Sequence, residues 1–184
     1  MVMTIGVLPF GNADRTMLRR IKEGLEGVFP ETKALVFDKA FPFPGGALDK
    51  NRGQYRSNQI LGMIQSHDSY ERLNRLLGVI DADMYVQGLN FVFGEATFPG
   101  KAALISLWRL KPEFYRNPPN FEVFAERSLK EAIHEVGHTL DVRHCPRSFC
   151  VMHLSNSIFD TDKKEALFCD ECYLKAALAI NALE

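Results

Sequence analysis

The sequence feature that most limits the possible folds is the crowding of histidine and cysteine into one stretch. All four cysteines and four of the five histidines lie between residues 134 and 172 of a 184-residue chain. Both residue types bind transition metals. The C-terminal part of the chain is therefore expected to fold around metal. Within it, the stretch "HEVGHTLDVRHC", residues 134–145, is the part that indicates chemistry.

A helix is predicted from about residue 121 to 140, and it carries the first part of this stretch. Asn120, which follows two prolines, is a suitable N-cap. Apolar side chains recur every three or four residues and form a stripe that is expected to pack into the core: Leu129, Ile133, Val136 and Leu140.

This helix places two histidines and a glutamate at the edge of the apolar stripe. His134 and His138 are one turn apart, about 6 Å along the axis, so both imidazoles can reach one ion. Glu135 points about 100° further round the helix, where it can accept a proton from a water molecule bound to that ion. A zinc hydrolase needs this division of roles. The alternative is that both histidines are ordinary half-buried helix residues.

His144 offers a third imidazole if the chain turns back after Leu140. Three neutral imidazoles with one open position for water are typical of catalytic zinc. At such a turn glycine is favoured because φ is positive, and Asp141 can adopt that conformation at a cost of about 1 kcal/mol. Two alternatives stay open for Asp141: it is itself the third ligand, or it hydrogen-bonds to a ligand histidine.

The cysteines fall into two pairs, which predict a second metal site. Cys145 and Cys150 have four residues between them, and Cys169 and Cys172 have two. Four soft ligands in two pairs are the composition of a closed tetrahedral structural zinc site. If residues 144 and 145 are extended, their side chains point to opposite sides and face different ions. The alternative is four buried or redox-active thiols.

The remaining sequence predicts an α+β fold (α/β-like), in which a mixed β-sheet is packed with helices. Strands are expected at residues 3–9, 33–38, 82–89, 90–97 and 101–110. Helices are expected at residues 13–28, capped by Asn12, and at 58–65, 69–80 and 162–182. In the segment 69–80, Leu73, Leu76 and Leu77 would line one helix face. Residues 41–58 are predicted to be a long surface loop.

Length and charge limit the function classes. A chain of 184 residues is about one domain long, so residues 1–184 are expected to fold as one unit. Its sheet, helices and active-site helix would occupy about 1–140, and the third ligand, cysteine site and last helix about 141–184. The net charge of −1 gives no reason to expect a nucleic-acid partner.

Targeting signals are not evident in the sequence. No apolar run approaches the ~18 residues of a membrane span, and the apolar N-terminus lacks the basic region of a signal peptide. We therefore expect a cytoplasmic protein without a membrane partner. We also expect the protein to be a monomer. Thiols stay reduced in the cytosol, which favours metal ligation over disulfides.

The stretches "HEVGHTLDVRHC" and "FCDEC", with Cys150 and Met152 between them, resemble the archaemetzincins, a branch of the metzincin zinc proteases. The resemblance covers residues 134–172. It departs from the family pattern at Asp141, where the family has glycine, and this departure removes no ligand.

The resemblance implies a single-domain zincin fold and a zinc peptidase. Its catalytic zinc ligands would be His134, His138 and His144, with Glu135 as general base. The four cysteines would bind a second, structural zinc, which makes two Zn²⁺ per chain. Met152 would lie in a turn beneath the catalytic metal. The resemblance further implies that an exposed strand binds extended substrate, and residues 101–110 are the candidate. The alternative is that these residues form an ordinary strand of the sheet.

The predicted function is therefore the hydrolysis of peptide bonds in a peptide or protein substrate. A zinc-bound water would be activated by Glu135, which then passes the proton to the leaving amine. No tyrosine follows Met152 closely, so stabilisation of the oxyanion is left to zinc. One alternative is a zinc-stabilised binding module, which would have no use for Glu135. The other is a metal-dependent endoribonuclease with three histidines, a family that lacks this glutamate.

Overall fold

The structure is a computed structural model and describes residues 2–183, so the first and last residues of the predicted 1–184 unit lie outside the described part. The strands are β1 (Met3–Phe10), β2 (Thr32–Val36), β3 (Leu48–Asp49), β4 (Gln54–Arg56), β5 (Arg75–Ile80), β6 (Met84–Tyr85), β7 (Gly94–Ala96) and β8 (Ala102–Ser106). The α-helices are α1 (Arg15–Val28), α2 (Ser57–Gln65), α3 (Phe121–Thr139), α4 (Ile158–Lys163) and α5 (Asp170–Asn181).

As predicted, a mixed β-sheet packed with helices forms the centre of the molecule, and the helices lie on both of its faces. Its strand order is β2-β1-β5-β8-β7, and every neighbouring pair is parallel except β7 with β8. A smaller sheet has the order β3-β4-β6. One face of the large sheet packs against α1 and α3, and the other packs against α2. No helix in the described range is long and apolar enough to cross a membrane.

The helix predicted at 13–28 begins two residues later than expected. Asp14, not Asn12, is the N-cap, and its carboxylate accepts a hydrogen bond from the Met17 N–H at 2.8 Å. An aspartate directly before the first turn caps a helix as well as an asparagine does, so the two candidates could not be separated by residue type.

The helix predicted at residues 69–80 is wrong. A short 3₁₀ turn at Asp68–Tyr70 leads instead into β5, where all six residues are buried. Leu76 and Leu77 lie on opposite faces of the sheet, in two separate core clusters. A parallel strand covered on both faces is apolar throughout, so its sequence lacks the alternation that distinguishes a strand from a helix.

Three other segments also differ from the prediction. The segment 41–58 is not all loop, because it contains the antiparallel pair β3 and β4 and the first two residues of α2. The last helix predicted, 162–182, is divided into α4 and α5 by an irregular stretch. Within 101–110 the strand is β8, whose five residues are all buried between β5 and β7. β8 is therefore not an exposed strand, and the edge of the sheet is β7.

Candidate metal centres

Helix α3 carries the first candidate centre and forms as the sequence predicts. The side chain of Asn120 accepts a hydrogen bond from the Val123 N–H at 3.1 Å, which caps the first turn. The apolar stripe packs against the sheet, with Ile133, Val136 and Leu140 buried. His134 and Glu135 are also buried, so the fold encloses these two polar side chains.

The chain turns sharply at Asp141, as the sequence predicts. Asp141 has φ 61°, in the left-handed region that glycine usually occupies. Its N–H donates to the carbonyl of His138, and the N–H of Val142 donates to the carbonyl of Gly137. These bonds end α3 and reverse the chain. The Asp141 side chain is exposed and stands outside the cluster of potential metal ligands.

Three histidines converge in front of this turn. The Nε2 atom of His138 lies 3.0 Å from Nε2 of His134 and 3.2 Å from Nε2 of His144. Nitrogen ligands at 2.0–2.1 Å from one tetrahedral ion are about 3.3 Å apart. The cluster is thus compact enough for the three nitrogens to bind one ion.

Hydrogen bonds orient two of these rings. The Nδ1–H of His134 donates to the carbonyl of Val151 at 2.8 Å, and the Nδ1–H of His138 donates to the carbonyl of Val142 at 2.9 Å. Each bond leaves the Nε2 lone pair free for a metal. Burial, and then His144, lowers the pKa of His138 to about 4, and burial lowers that of His134 well below its usual value. Neutral imidazoles are the form that binds metal.

Glu135 is buried beside the histidines and faces strand β7. A Cβ atom at Gly94 would overlap the Glu135 carboxylate, so glycine at this position leaves the space that the side chain needs. Burial, and then the neighbouring Glu131, raises the pKa of Glu135 well above its usual value. A dication in the histidine cluster acts in the opposite direction. The carboxyl group is thus placed where it can exchange protons.

Met152 packs against α3 and is fully buried. Its Sδ atom would be 2.7 Å from a Cβ atom at Gly137, which lies between the two histidines of α3. The carbonyl of Met152 also accepts a hydrogen bond from the Cys145 N–H at 2.9 Å. This methionine therefore contacts both α3, between His134 and His138, and the segment that carries Cys145.

The four cysteines form the second candidate centre. All four are free thiols, are buried, and have Sγ atoms within 4.8 Å of one another. The Sγ atoms of Cys145 and Cys169 are 3.8 Å apart. Sulfur ligands at about 2.3 Å from one tetrahedral ion are separated by about 3.8 Å, whereas a disulfide is about 2.05 Å long. The cluster has the spacing of a tetrahedral metal site.

One of these thiols ionises more readily than an ordinary cysteine, because its pKa is lowered. Burial opposes its ionisation, but the Cys172 N–H, neighbouring thiols and Arg147 donate hydrogen bonds that lower the pKa of Cys169 to about 6. The Arg147 Nη1 is 3.2 Å from the Cys169 Sγ. Because metals bind the thiolate, this environment favours ligation.

A buried ion pair near the histidines was not predicted from the sequence. The Lys164 Nζ lies 3.1 Å from the Glu131 carboxylate, and the side chains are 0% and 4% exposed. Thr161 donates a second hydrogen bond to the same Glu131 oxygen, and Lys164 also donates to the carbonyl of His153 at 3.5 Å. Glu131 lies one helical turn before His134, and this spacing indicates that it is on the same face of α3 as the histidines. Its partner Lys164 could not be predicted because it is far away in the sequence.

Removal of one partner from this pair is expected to destabilise the fold strongly. In Lys164→Met the Glu131 carboxylate stays buried without its cation, so the free energy of unfolding should fall by about 3–5 kcal/mol in urea titrations. The double variant Lys164→Met/Glu131→Leu should recover most of this loss. The control is Arg20→Met, which breaks the exposed Arg20–Glu122 pair and should change stability by at most about 1 kcal/mol. Equal effects of the two single variants would contradict a role for the buried pair.

Two cavities open on either side of the histidines. One, of about 410 Å³, includes Gly94, Glu131, His134 and Glu135 in its lining. The other, of about 580 Å³, is lined by Ala96, Phe98, His138, Arg143 and His144. His138 and His144 border both cavities. The histidine cluster thus stands in the middle of a cleft that runs along β7.

Known proteins resemble this chain over most of its length. The sequence profile of peptidase family M54 matches residues 20–177. An archaemetzincin from Methanocaldococcus jannaschii is 42% identical over 175 residues, which are 95% of this chain and 93% of the relative. The crystal structure of an archaemetzincin from Methanopyrus kandleri has a TM-score of 0.86 at 32% identity, with 98% of this chain and 96% of that chain covered. A zinc-dependent peptidase from Methanocorpusculum labreanum has a TM-score of 0.81 at 26% identity, with 94% and 99% covered.

The fold, the two ligand clusters and these relatives define a zinc metallopeptidase, which acts on peptide or protein substrates. The chain belongs to peptidase family M54, the archaemetzincins, in agreement with the resemblance noted in the sequence.

Proposed function

We propose that the chain is a metzincin-type peptidase that binds two zinc ions and hydrolyses peptide bonds at the histidine cluster. The observation that carries this proposal is the convergence of three histidines, whose Nε2 atoms lie 3.0 and 3.2 Å apart in successive pairs, beside a buried glutamate. His134, His138 and His144 would hold the catalytic zinc. The four cysteines would hold the structural zinc, and Met152 would form the floor beneath the catalytic site.

Each side chain has a distinct part in the proposed reaction. A zinc ion held by His134, His138 and His144 would supply a Lewis acid and would lower the pKa of a bound water towards ~7. Glu135 takes the proton from the attacking water and then gives it to the leaving amine. The carbonyl groups of Val151 and Val142 hold the imidazoles of His134 and His138 in the orientation that ligation needs.

The edge strand β7 is the proposed binding site for the substrate backbone. β7 pairs with β8 on one side only, and it runs from Gly94 in the first cavity to Ala96 in the second. An extended peptide can add to such an edge by main-chain hydrogen bonds. β7 therefore replaces residues 101–110 as the candidate for strand addition.

Several expectations from the sequence stay part of this proposal. The chain would fold as one unit and act as a monomer in the cytoplasm, where its four thiols stay reduced and available to zinc. Its substrates would be peptides or proteins and not nucleic acid, since the net charge of −1 offers little attraction to phosphate.

Reversible removal of metal tests the proposed reaction. A chelator that removes the histidine-bound zinc should abolish cleavage of a peptide library, because no side chain in the cleft replaces the Lewis acid. Stoichiometric zinc should restore it. Mass spectrometry of the cleavage products would measure both the loss of activity after chelation and its recovery with zinc. Cleavage that persists in chelated protein free of zinc would contradict the proposal. Failure to cleave any peptide in the zinc-loaded state would favour a binding module.

A further inference from the structure

The second cavity of the cleft contains a cation without an internal partner. Arg143 is exposed and lines this cavity next to His138 and His144. Other arginines of the chain, such as Arg109, Arg127 and Arg147, form ion pairs with carboxylates. Arg143 forms none with any carboxylate of residues 2–183. Its guanidinium group is therefore free to bind a ligand.

Phe98 is adjacent both to this guanidinium and to the histidine cluster. Its ring is 46% exposed, and the Arg143 guanidinium carbon lies 5.8 Å from the ring centroid. The same ring meets His138 edge-on, with centroids 5.6 Å apart. A cation at this distance from an aromatic ring is held weakly but with a preferred orientation. The Phe98 ring thus contacts both the Arg143 guanidinium group and the potential metal ligand His138.

The positive charge of the second cavity favours a negatively charged ligand. Its lining contains a guanidinium, an aromatic ring and two imidazoles, and no acidic side chain of the described residues. Zinc in the histidine cluster would add further positive charge. The first cavity differs, because Glu131 and Glu135 are part of its lining. An acidic group of the substrate is therefore attracted to the second cavity, whereas the described residues that line the first offer it no arginine or lysine.

The direction of β7 decides which part of the substrate enters this cavity. β7 runs from the first cavity at Gly94 to the second at Ala96. A peptide added antiparallel to β7, the stronger of the two pairings, runs in the opposite direction. Its N-terminal part then occupies the second cavity, and its C-terminal part occupies the first. Side chains that precede the scissile bond come close to Arg143.

We propose that Arg143, positioned by Phe98, is a specificity-determining residue that binds an acidic side chain of the substrate on the N-terminal side of the scissile bond. This inference rests on the proposed peptidase function and names a preference within it. The carboxylate would accept hydrogen bonds from the guanidinium fork while its carbon chain packs on the phenyl ring.

The test compares peptides that differ at one position. A cleaved peptide is remade with Glu, Gln or Lys at each of the two positions before the scissile bond, and kcat/KM is measured for each. The zinc-loaded wild type should prefer Glu over Gln about fivefold at one of these positions. Arg143→Gln should reduce this ratio to about one, chiefly because kcat/KM for the Glu peptide falls. Arg143→Glu should shift the preference to Lys.

Two controls separate recognition from damage to the metal site. Arg19→Gln removes an exposed arginine of α1, outside the lining of both cavities, and should keep the wild-type preference. The zinc content of Arg143→Gln should equal that of the wild type, although residue 143 precedes a ligand. The preference should also weaken at high salt because the pair is exposed.

The outcomes distinguish this inference from the proposed function. Equal cleavage of Glu and Gln peptides by the wild type would overturn the role of Arg143 and leave the peptidase reaction standing. The role of Arg143 would also be wrong if Arg143→Gln kept the preference, or if the preference lay only after the scissile bond. Cleavage of no peptide at all would contradict the proposed function, and this inference with it.

Discussion

Replacement of Glu135 by glutamine is expected to lower kcat/KM for peptide cleavage by about a thousandfold or more, within or above the range of general acid–base catalysis. The amide has nearly the same shape as the carboxyl group, so it fits the space left by Gly94. It cannot take a proton from water or pass one to the leaving amine. Peptide cleavage by Glu135→Gln is to be measured beside its zinc content, which should stay at the wild-type value because residue 135 is not a ligand.

The matched control for this variant lies on the same helix. Glu122→Gln changes a glutamate in the first turn of α3, far from the cleft and 75% exposed. It should keep both full activity and full zinc content. If Glu135→Gln kept more than about a tenth of the wild-type activity, another group would be the base and the assigned role of Glu135 would be wrong.

Conversion of Cys169 and Cys172 to serine is expected to unfold most of the chain. Structural zinc contributes on the order of 10 kcal/mol to the folding of small zinc domains, and typical proteins have only about 5–15 kcal/mol of net stability. The cysteine cluster joins the start of α5 to the segment that carries His144. Its loss should therefore release the third histidine ligand as well.

Far-UV circular dichroism and zinc analysis would measure this effect. The comparison variant is His138→Ala, which removes a ligand of the histidine cluster and should lose activity and one zinc while the fold persists. If the serine variant had the same melting temperature as the wild type and the same zinc content, the cysteines would be buried thiols that bind no metal. The proposed structural zinc would then be absent.

The sequence predicted the parts of the site that depend on local rules. Helix α3 has its cap at Asn120 and its stripe at helical spacing, so the relation of His134 to His138 followed from helix geometry. The turn at Asp141 followed from the backbone preferences of aspartate. The opposite directions of His144 and Cys145 followed from the geometry of extended chain.

The parts that could not be predicted depend on contacts between distant residues. β5 was taken for a helix because burial on both faces, which only the assembled sheet provides, removes its alternation. Residues 101–110 were the candidate for the exposed strand because no local signal shows that β7 covers the outer side of β8. Lys164 pairs with Glu131, which is far away in the sequence, and nothing near either residue indicates the partner.

Zinc content per chain, measured by elemental analysis, is the decisive quantity, because the proposed function requires two zinc ions in separate sites of three histidines and four cysteines. Two zinc ions are expected in the wild type and in Glu135→Gln, and one is expected in folded His138→Ala. One zinc ion in the wild type, or two in His138→Ala, would contradict the two-site assignment.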